Sequence, residues 1–319
     1  MKLLCIAFFA LFSVYTHAAT VVDAGRTDSR SVVTIPPGGL SDMGCAALNE
    51  YVYIPKTTPR GKSFTYFYAS RSVAGVATRL ITSTNAKVGG IATANCTVVG
   101  NSYSQAFVAP ISGAPIMLPP TGKAYVQGVA LTALGVVVNA SAYGDFAINV
   151  VQGDTQAMRY AGGVWENLGA PSKAVAANYN GTIVGFSLNG SDPDHQGQGF
   201  IPFPLDGVPA PGVLTGINGN RLMSITSVPN AGVWDGATLT VFARLPGTSS
   251  CTTNGINLYG TVVGQCDGRA TQWVLGVPTD LNDLLPALAP RVLKEATAVN
   301  SSGQIAVNGS DGHAYVVTP

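Results

Sequence analysis

Apolar and polar positions along the chain alternate in short runs that are punctuated by glycine, asparagine and serine. In residues 180–185, 259–264 and 302–307, a glycine follows Asn, Tyr or Ser and precedes a run rich in Val and Ile. Glycine at such a place supplies the positive φ of a tight turn, and the β-branched run after it favours a strand. The pattern therefore predicts a succession of β-hairpins.

These hairpin glycines recur at an even spacing of 38 to 46 residues, at Gly90, Gly135, Gly181, Gly219, Gly260 and Gly303. A second strand with an aromatic or large apolar residue follows, as in residues 105–108, 156–160, 199–201, 270–273 and 313–316, and a third follows in 164–169. A period of about forty residues with three or four short strands is typical of a β-propeller blade. A β-sandwich whose hairpins happen to be regular is the alternative.

The repeat predicts an all-β, β-propeller-like single domain over residues 19–319, with about six blades of short antiparallel strands. Residues 26–79 depart from the repeat, and we interpret them as a degenerate first blade or an inserted cap. The last repeat stops at Pro319 before its final strand, while residues 20–25 have the character of that strand. We therefore predict that the N-terminal strand pairs beside residues 314–317 and closes the last blade, removing an open sheet edge.

Two segments near the C-terminus carry a family resemblance. Residues 255–264 and 298–305 resemble the Ala-Ile-Asn-x-x-Gly-x-Val-Val-Gly unit of the bacterial extracellular HAF-repeat proteins, and residues 313–315 resemble its His-Ala-Phe element. Residues 22–25 match the short third element. The resemblance covers roughly residues 175–319 well and 80–170 loosely. It implies a propeller-like exported protein, and it brings no activity or site residues.

The first eighteen residues predict a secretory signal peptide. Lys2 precedes an apolar stretch over residues 3–15, and the small residues Thr16 and Ala18 suit cleavage after Ala18. A membrane anchor is the alternative, but the stretch is shorter than the roughly 20 residues that cross a bilayer. We expect a mature protein without a membrane span, either secreted to the extracellular space or periplasmic.

Four cysteines remain after signal removal, at Cys45, Cys96, Cys251 and Cys266. An even number in an exported chain predicts two disulfides, although free buried cysteines are possible. Of the three pairings we favour Cys45–Cys96 with Cys251–Cys266, because the second pair flanks turn residues that let two strands fold back.

The overall charge limits the classes of partner. Charged residues make up only 10% of the chain, and the formal net charge is +1. Such a charge gives no overall field to attract nucleic acid or anionic lipid, so neither a nucleic-acid partner nor a polyanion-binding role is predicted.

Candidate catalytic residues are few. His195 and His313 are the histidines of the mature chain, and no Gly-x-Ser-x-Gly elbow accompanies them. Residues 189–197 concentrate oxygen ligands, with Asp192 and Asp194 as candidates for a Ca²⁺ site. The loop lacks the twelve-residue calcium pattern, so solvated turn residues are the ordinary interpretation, and no other cofactor is predicted.

The favoured function is a non-enzymatic binding or surface-interaction module for an extracellular protein or carbohydrate. The alternative is an exported polysaccharide-active hydrolase or lyase, with aspartates converging near the propeller axis. A purely structural role in an envelope or matrix is a third hypothesis.

Overall fold

The strands that the structure describes form seven small antiparallel sheets, which confirms the predicted all-β class. The computed structural model describes residues 19–56, 62–92, 94–141, 155–168, 172–187, 199–203, 212–285 and 292–319. Residues 1–18 of the predicted signal peptide, Asp192, Asp194 and His195 lie outside the described residues. Within those ranges the single helix, α1 (Leu281–Leu284), has four residues, so no described helix has the length or apolar character to cross a bilayer.

The sheets follow one another along the chain, and we number them in that order. Sheet 1 contains β2 (Val32–Thr34), β3 (Ala46–Ile54), β4 (Phe64–Val73) and β5 (Val76–Arg79). Sheet 2 contains β6 (Ala86–Ile91), β7 (Val98–Ser102), β8 (Gln105–Ala109) and β9 (Ile116–Met117). Sheet 3 contains β10 (Tyr125–Thr132), β11 (Gly135–Ser141), β12 (Gln156–Ala161) and β13 (Val164–Asn167).

The remaining four sheets repeat this order. Sheet 4 contains β14 (Ser172–Ala177), β15 (Ile183–Ser187) and β16 (Gly199–Phe203). Sheet 5 contains β17 (Val213–Ile217), β18 (Met223–Ser227), β19 (Asn230–Trp234) and β20 (Leu239–Val241). Sheet 6 contains β21 (Cys251–Ile256), β22 (Val262–Cys266), β23 (Arg269–Val274) and β24 (Val277–Asp280). Sheet 7 contains β25 (Leu293–Val299), β26 (Ile305–Gly309), β27 (Ala314–Thr318) and β1 (Thr20–Asp23).

The N-terminal strand completes the sheet formed by the C-terminal strands, as predicted. β1 pairs antiparallel with β27, and Thr20 lies opposite Thr318 while Asp23 lies opposite Tyr315. The free edge of β27 is therefore covered by a segment about 290 residues away in sequence.

The described residues form seven sheets, one more than the six glycine anchors of the repeat analysis, which predicted about six blades. The six glycine anchors correspond to sheets 2 to 7, and residues 26–79 supply a further sheet of the same strand order. Two of the anchors also differ from prediction, since Gly90 lies inside β6 and Arg221 takes the positive φ (62°) at the Gly219 turn. A Cβ on Gly90 would approach the Val129 carbonyl oxygen to 2.6 Å, so this glycine permits close packing of sheets 2 and 3.

The core lies between neighbouring sheets. In sheet 6, for example, the second strand β22 is buried on both of its faces, and Val263 packs with Ala296 and Leu293 of sheet 7. A strand that is covered on both faces gains from continuous apolar residues, and this explains the Val-Val and Ile-Val runs after the turns.

Consecutive sheets are also joined by side-chain amides, and the last sheet is joined to the first. Asn49 Oδ1 accepts from the Val88 amide at 2.9 Å, and its Nδ2 donates to the Val88 carbonyl at 3.1 Å. Asn139 bonds in the same two-fold manner to Ala174, and Asn308 to Ile35. The Asn308 pair links sheet 7 to the segment that follows β2 in sheet 1.

Both predicted disulfides are present. Cys45–Cys96 joins sheets 1 and 2, with Cα atoms 5.5 Å apart. Cys251 and Cys266 lie directly opposite each other in the β21–β22 pair, with Cα atoms 4.1 Å apart.

Candidate functional site: the cavity between the seven sheets

A cavity of about 270 Å³ lies where the seven sheets converge. Every sheet contributes to its wall, and one representative from each of sheets 1 to 7 in turn is Leu40, Ile91, Val129, Ala176, Ile217, Ile256 and Ala298. These residues belong to the first strand of each sheet or, in sheet 1, to the loop between β2 and β3. The first strands also pack against one another in sequence, from β6 and β10 through to β21 and β25.

A β-bulge recurs in the first strand of sheets 2 to 7. The strand register shifts by one residue near Gly90, Ala130, Ala176, Gly216, Gly255 and Ala298. The extra residue itself lines the cavity in four sheets, as Val129, Val175, Thr215 and Asn254. A bulge bends a strand and changes the direction in which one side chain points. The repeated bulge therefore explains how the first strands direct these side chains into the same cavity.

Four asparagines connect the first strands in a chain of hydrogen bonds at one end of the cavity. The side-chain Nδ2 of Asn178 donates to the Asn218 carbonyl (3.1 Å), Asn218 donates to Asn257 (2.9 Å), and Asn257 donates to Asn300 (3.0 Å). The Nδ2 of Asn300 then donates to the Ser41 carbonyl of sheet 1 at 2.9 Å.

The same asparagines also organise their own turns. In each, Oδ1 accepts from the backbone amide four residues later, at 2.8–2.9 Å. Asn218 and Asn257 also accept from the amide two residues later, at 3.0 and 3.1 Å, which is the Asx-turn contact. Both the oxygen and the nitrogen of each asparagine side chain are therefore hydrogen-bonded to protein atoms. We interpret these side chains as structural.

The wall of the cavity is poor in ionisable groups. Among the lining residues that the structure describes, Asp42 is the single carboxylate, and its Oδ1 accepts from the Ser301 amide at 2.7 Å. The described lining therefore lacks the paired carboxylates of a glycosidase and the histidine of a nucleophilic triad. Across the described part of the chain, no three His, Cys, Asp or Glu side chains come together as a metal site would require.

His313 lies away from this cavity, at the junction of β1 and β27. Its Nδ1 is 2.6 Å from Asp23 Oδ2, and the Arg26 guanidinium also contacts the ring. Burial tends to raise the pKa of the neighbouring Asp311, but hydrogen bonds from Tyr315 Oη (2.6 Å) and the His313 amide outweigh it and lower that pKa. The contacts of His313 with Asp23 and Arg26 therefore link the N-terminal segment around β1 to the C-terminal segment around β27.

The sequence analysis missed both the bulges and the asparagine chain. A signal for them exists, since a Gly or Ala follows each bulge and an Asn ends the first strand of sheets 4 to 7. Comparison of the chain with protein-family models and with curated proteins found no match.

Proposed function

We propose that this chain is an exported, non-enzymatic binding module, built as a seven-bladed propeller-like ring of the kind that the HAF-repeat resemblance implies. In this proposal each sheet is one blade, and the shared cavity lies on the ring axis. Three observations support it: consecutive sheets are neighbours, sheet 7 is hydrogen-bonded to sheet 1, and all seven sheets line one cavity.

Export is supported by two independent features. The N-terminal residues have the order of a secretory signal, and two disulfides stabilise the chain. Disulfides persist in oxidising compartments, so we place the mature protein in the periplasm or the extracellular space.

The composition of the cavity is the observation that favours binding over catalysis. Hydrolysis of a glycosidic bond uses two carboxyl groups on either side of the scissile bond. The described lining offers Asp42 alone, surrounded by apolar side chains and amides that are already hydrogen-bonded. We therefore favour a module that holds an extracellular carbohydrate or protein without altering it.

Affinity electrophoresis combined with a reducing-end assay tests this proposal. The mature chain (residues 19–319) is run through gels that contain soluble neutral or acidic polysaccharides, and the same mixtures are assayed for new reducing ends. We expect retarded migration without new reducing ends, and the same retardation for Asp42→Asn. Release of reducing ends by the wild type that is lost in Asp42→Asn would contradict the proposal and favour the hydrolase.

A further inference from the structure

The β3–β4 hairpin of sheet 1 extends beyond the strands on either side of it. β3 and β4 pair over nine residues each, whereas β2 pairs only with residues 49–51 and β5 only with residues 70–73. Residues 52–54 and 64–66 therefore pair with each other alone. Ile54 and Phe64 lie at the opposite end of the β3–β4 pair from the cavity-lining loop, which precedes the start of β3.

One face of this hairpin carries a row of aromatic rings. Phe64, Tyr66 and Tyr68 alternate along β4, so they share a face. The rings of Phe64 and Tyr66 lie 6.3 Å apart with planes within 3° of parallel, and Tyr66 and Tyr68 are also 6.3 Å apart. Phe64 is 51% exposed, and the other two rings are half-buried.

Cationic side chains lie beside the row of rings, one of them against Tyr68 and others near Phe64. The Arg79 guanidinium lies 3.6 Å from the centre of the Tyr68 ring. Lys56 and Lys62 are exposed near the tip, and Lys87 lies 4.5 Å from the Phe67 ring on the other face. Cations of this kind beside aromatic faces form mixed surfaces that suit a ligand with both apolar and anionic groups.

Negative charge compensates these cations only in part. Asp28 lies close enough to Arg79 to interact with it electrostatically, and Arg79 donates to Thr27 Oγ1 at 3.0 Å. Residues 51–144 contain seven Lys or Arg and no Asp or Glu, so the net charge of +1 conceals a one-sided distribution. Of the nearby carboxylates, Glu50 is fully buried and accepts from Thr27, Ser31 and Ser70, while Asp28 is paired with Arg30 at 2.8 Å. This local surplus of cations can attract an anionic ligand even though the overall charge of the chain does not predict one.

We propose that this hairpin binds an acidic polysaccharide. The apolar faces of sugar rings lie on Phe64 and Tyr66. The carboxylate or sulfate groups pair with Lys62 and with Arg79, whose guanidinium covers the Tyr68 ring. Rings spaced 6.3 Å apart along a strand form an extended track that suits a polymer, whereas a membrane-inserting hairpin would group its rings at the turn. The inference rests on the proposed binding function and names its ligand class.

Fluorescence anisotropy with a labelled polygalacturonate tests this assignment on the mature chain. Phe64→Ala/Tyr66→Ala should weaken binding by about tenfold or more, as expected for aromatic anchors of an interface. Both rings are exposed or half-buried, so folding is checked by circular dichroism and thermal unfolding. Tyr125→Ala, which removes an exposed ring on sheet 3, is the matched control and should change binding less than twofold, which is about 0.4 kcal/mol.

A charge-matched pair of variants separates local from overall electrostatics. Lys62→Glu and Lys294→Glu change the net charge equally, and both lysines are exposed. At an ionic strength of about 0.1 M, Lys62→Glu should weaken binding about fivefold and Lys294→Glu hardly at all, because exposed charges then act over a Debye length of only about 10 Å.

Three results would overturn the assignment: equal binding of a neutral galactan of the same length, undiminished binding by the folded Phe64→Ala/Tyr66→Ala variant, or binding to phosphatidylglycerol vesicles but not to polygalacturonate. Each leaves the proposed function standing. Shortening of the polymer during the titration would instead contradict the non-enzymatic function itself.

Discussion

Substitution of Asn257 measures how much the hydrogen bonds between neighbouring sheets contribute to the free energy of unfolding. Its Nδ2 donates to the Asn300 carbonyl at 3.0 Å, and its Oδ1 accepts from the amides of Tyr259 (3.1 Å) and Thr261 (2.9 Å). The residue is buried, so substitution by alanine leaves three backbone groups without these partners. At about 1 kcal/mol for each net hydrogen bond, Asn257→Ala should lower the free energy of unfolding by about 3 kcal/mol.

Guanidinium chloride unfolding followed by tryptophan fluorescence measures this loss, as a lower midpoint at an unchanged slope. Asn257→Asp keeps the acceptor oxygen for the two amides but places a buried carboxylate oxygen against the Asn300 carbonyl, so its loss should be at least as large as that of alanine. Asn220→Ala removes a single exposed contact of 3.3 Å to Leu258 and should cost less than about 0.5 kcal/mol. If Asn257→Ala were no more destabilising than Asn220→Ala, the asparagine chain would not hold the sheets together as argued.

Three further predictions concern stability. Arg71→Met should lower the free energy of unfolding in denaturant by about 2 kcal/mol, because the guanidinium donates to four backbone carbonyls at 2.9–3.4 Å. Burial also lowers the pKa of this guanidinium. An unchanged free energy of unfolding would contradict the prediction. Replacing Cys251 and Cys266 by serine should cost about 3 kcal/mol, since their bond closes a loop of 15 residues, and dithiothreitol should then have less effect on the variant than on the wild type. A hydrogen bond from Arg30 holds the pKa of Asp28 at about 2, so its stabilisation is present above the ordinary value of 3.8 and lost as the pH falls through 2. Asp28→Asn should therefore lose melting temperature less steeply than the wild type between pH 4 and 2, and equal slopes would refute the assignment.

The features that depend on residues close together in the sequence could be predicted from the sequence alone. Turn glycines before β-branched runs predicted the hairpins at Gly135, Gly181, Gly260 and Gly303, all of which have positive φ. Two long-range pairings were also predicted, that of residues 20–25 with the C-terminal strand and that of Cys45 with Cys96. In each case the sequence offers few other partners for the open strand edge or for the cysteine.

The features that were missed depend on packing between sheets. Residues 46–73 contain no repeat glycine, and their aromatic strands gave no period from which to count sheet 1. A one-residue bulge shifts which side chains face the cavity without leaving a strong local mark, so Val129 and Thr215 could not be assigned to a shared site. The candidate metal ligands Asp192 and Asp194 lie outside the described residues, and the Ca²⁺ site stays a prediction.

The central proposal is that the mature chain binds an acidic polysaccharide without cleaving it. Size-exclusion chromatography with light scattering, applied to the mature chain with an acidic polysaccharide over many hours, tests this claim directly. The account predicts co-elution of protein with a polymer whose molar mass per chain does not change. A progressive fall in polymer mass that Asp42→Asn abolishes would contradict the account and identify the cavity as a catalytic site.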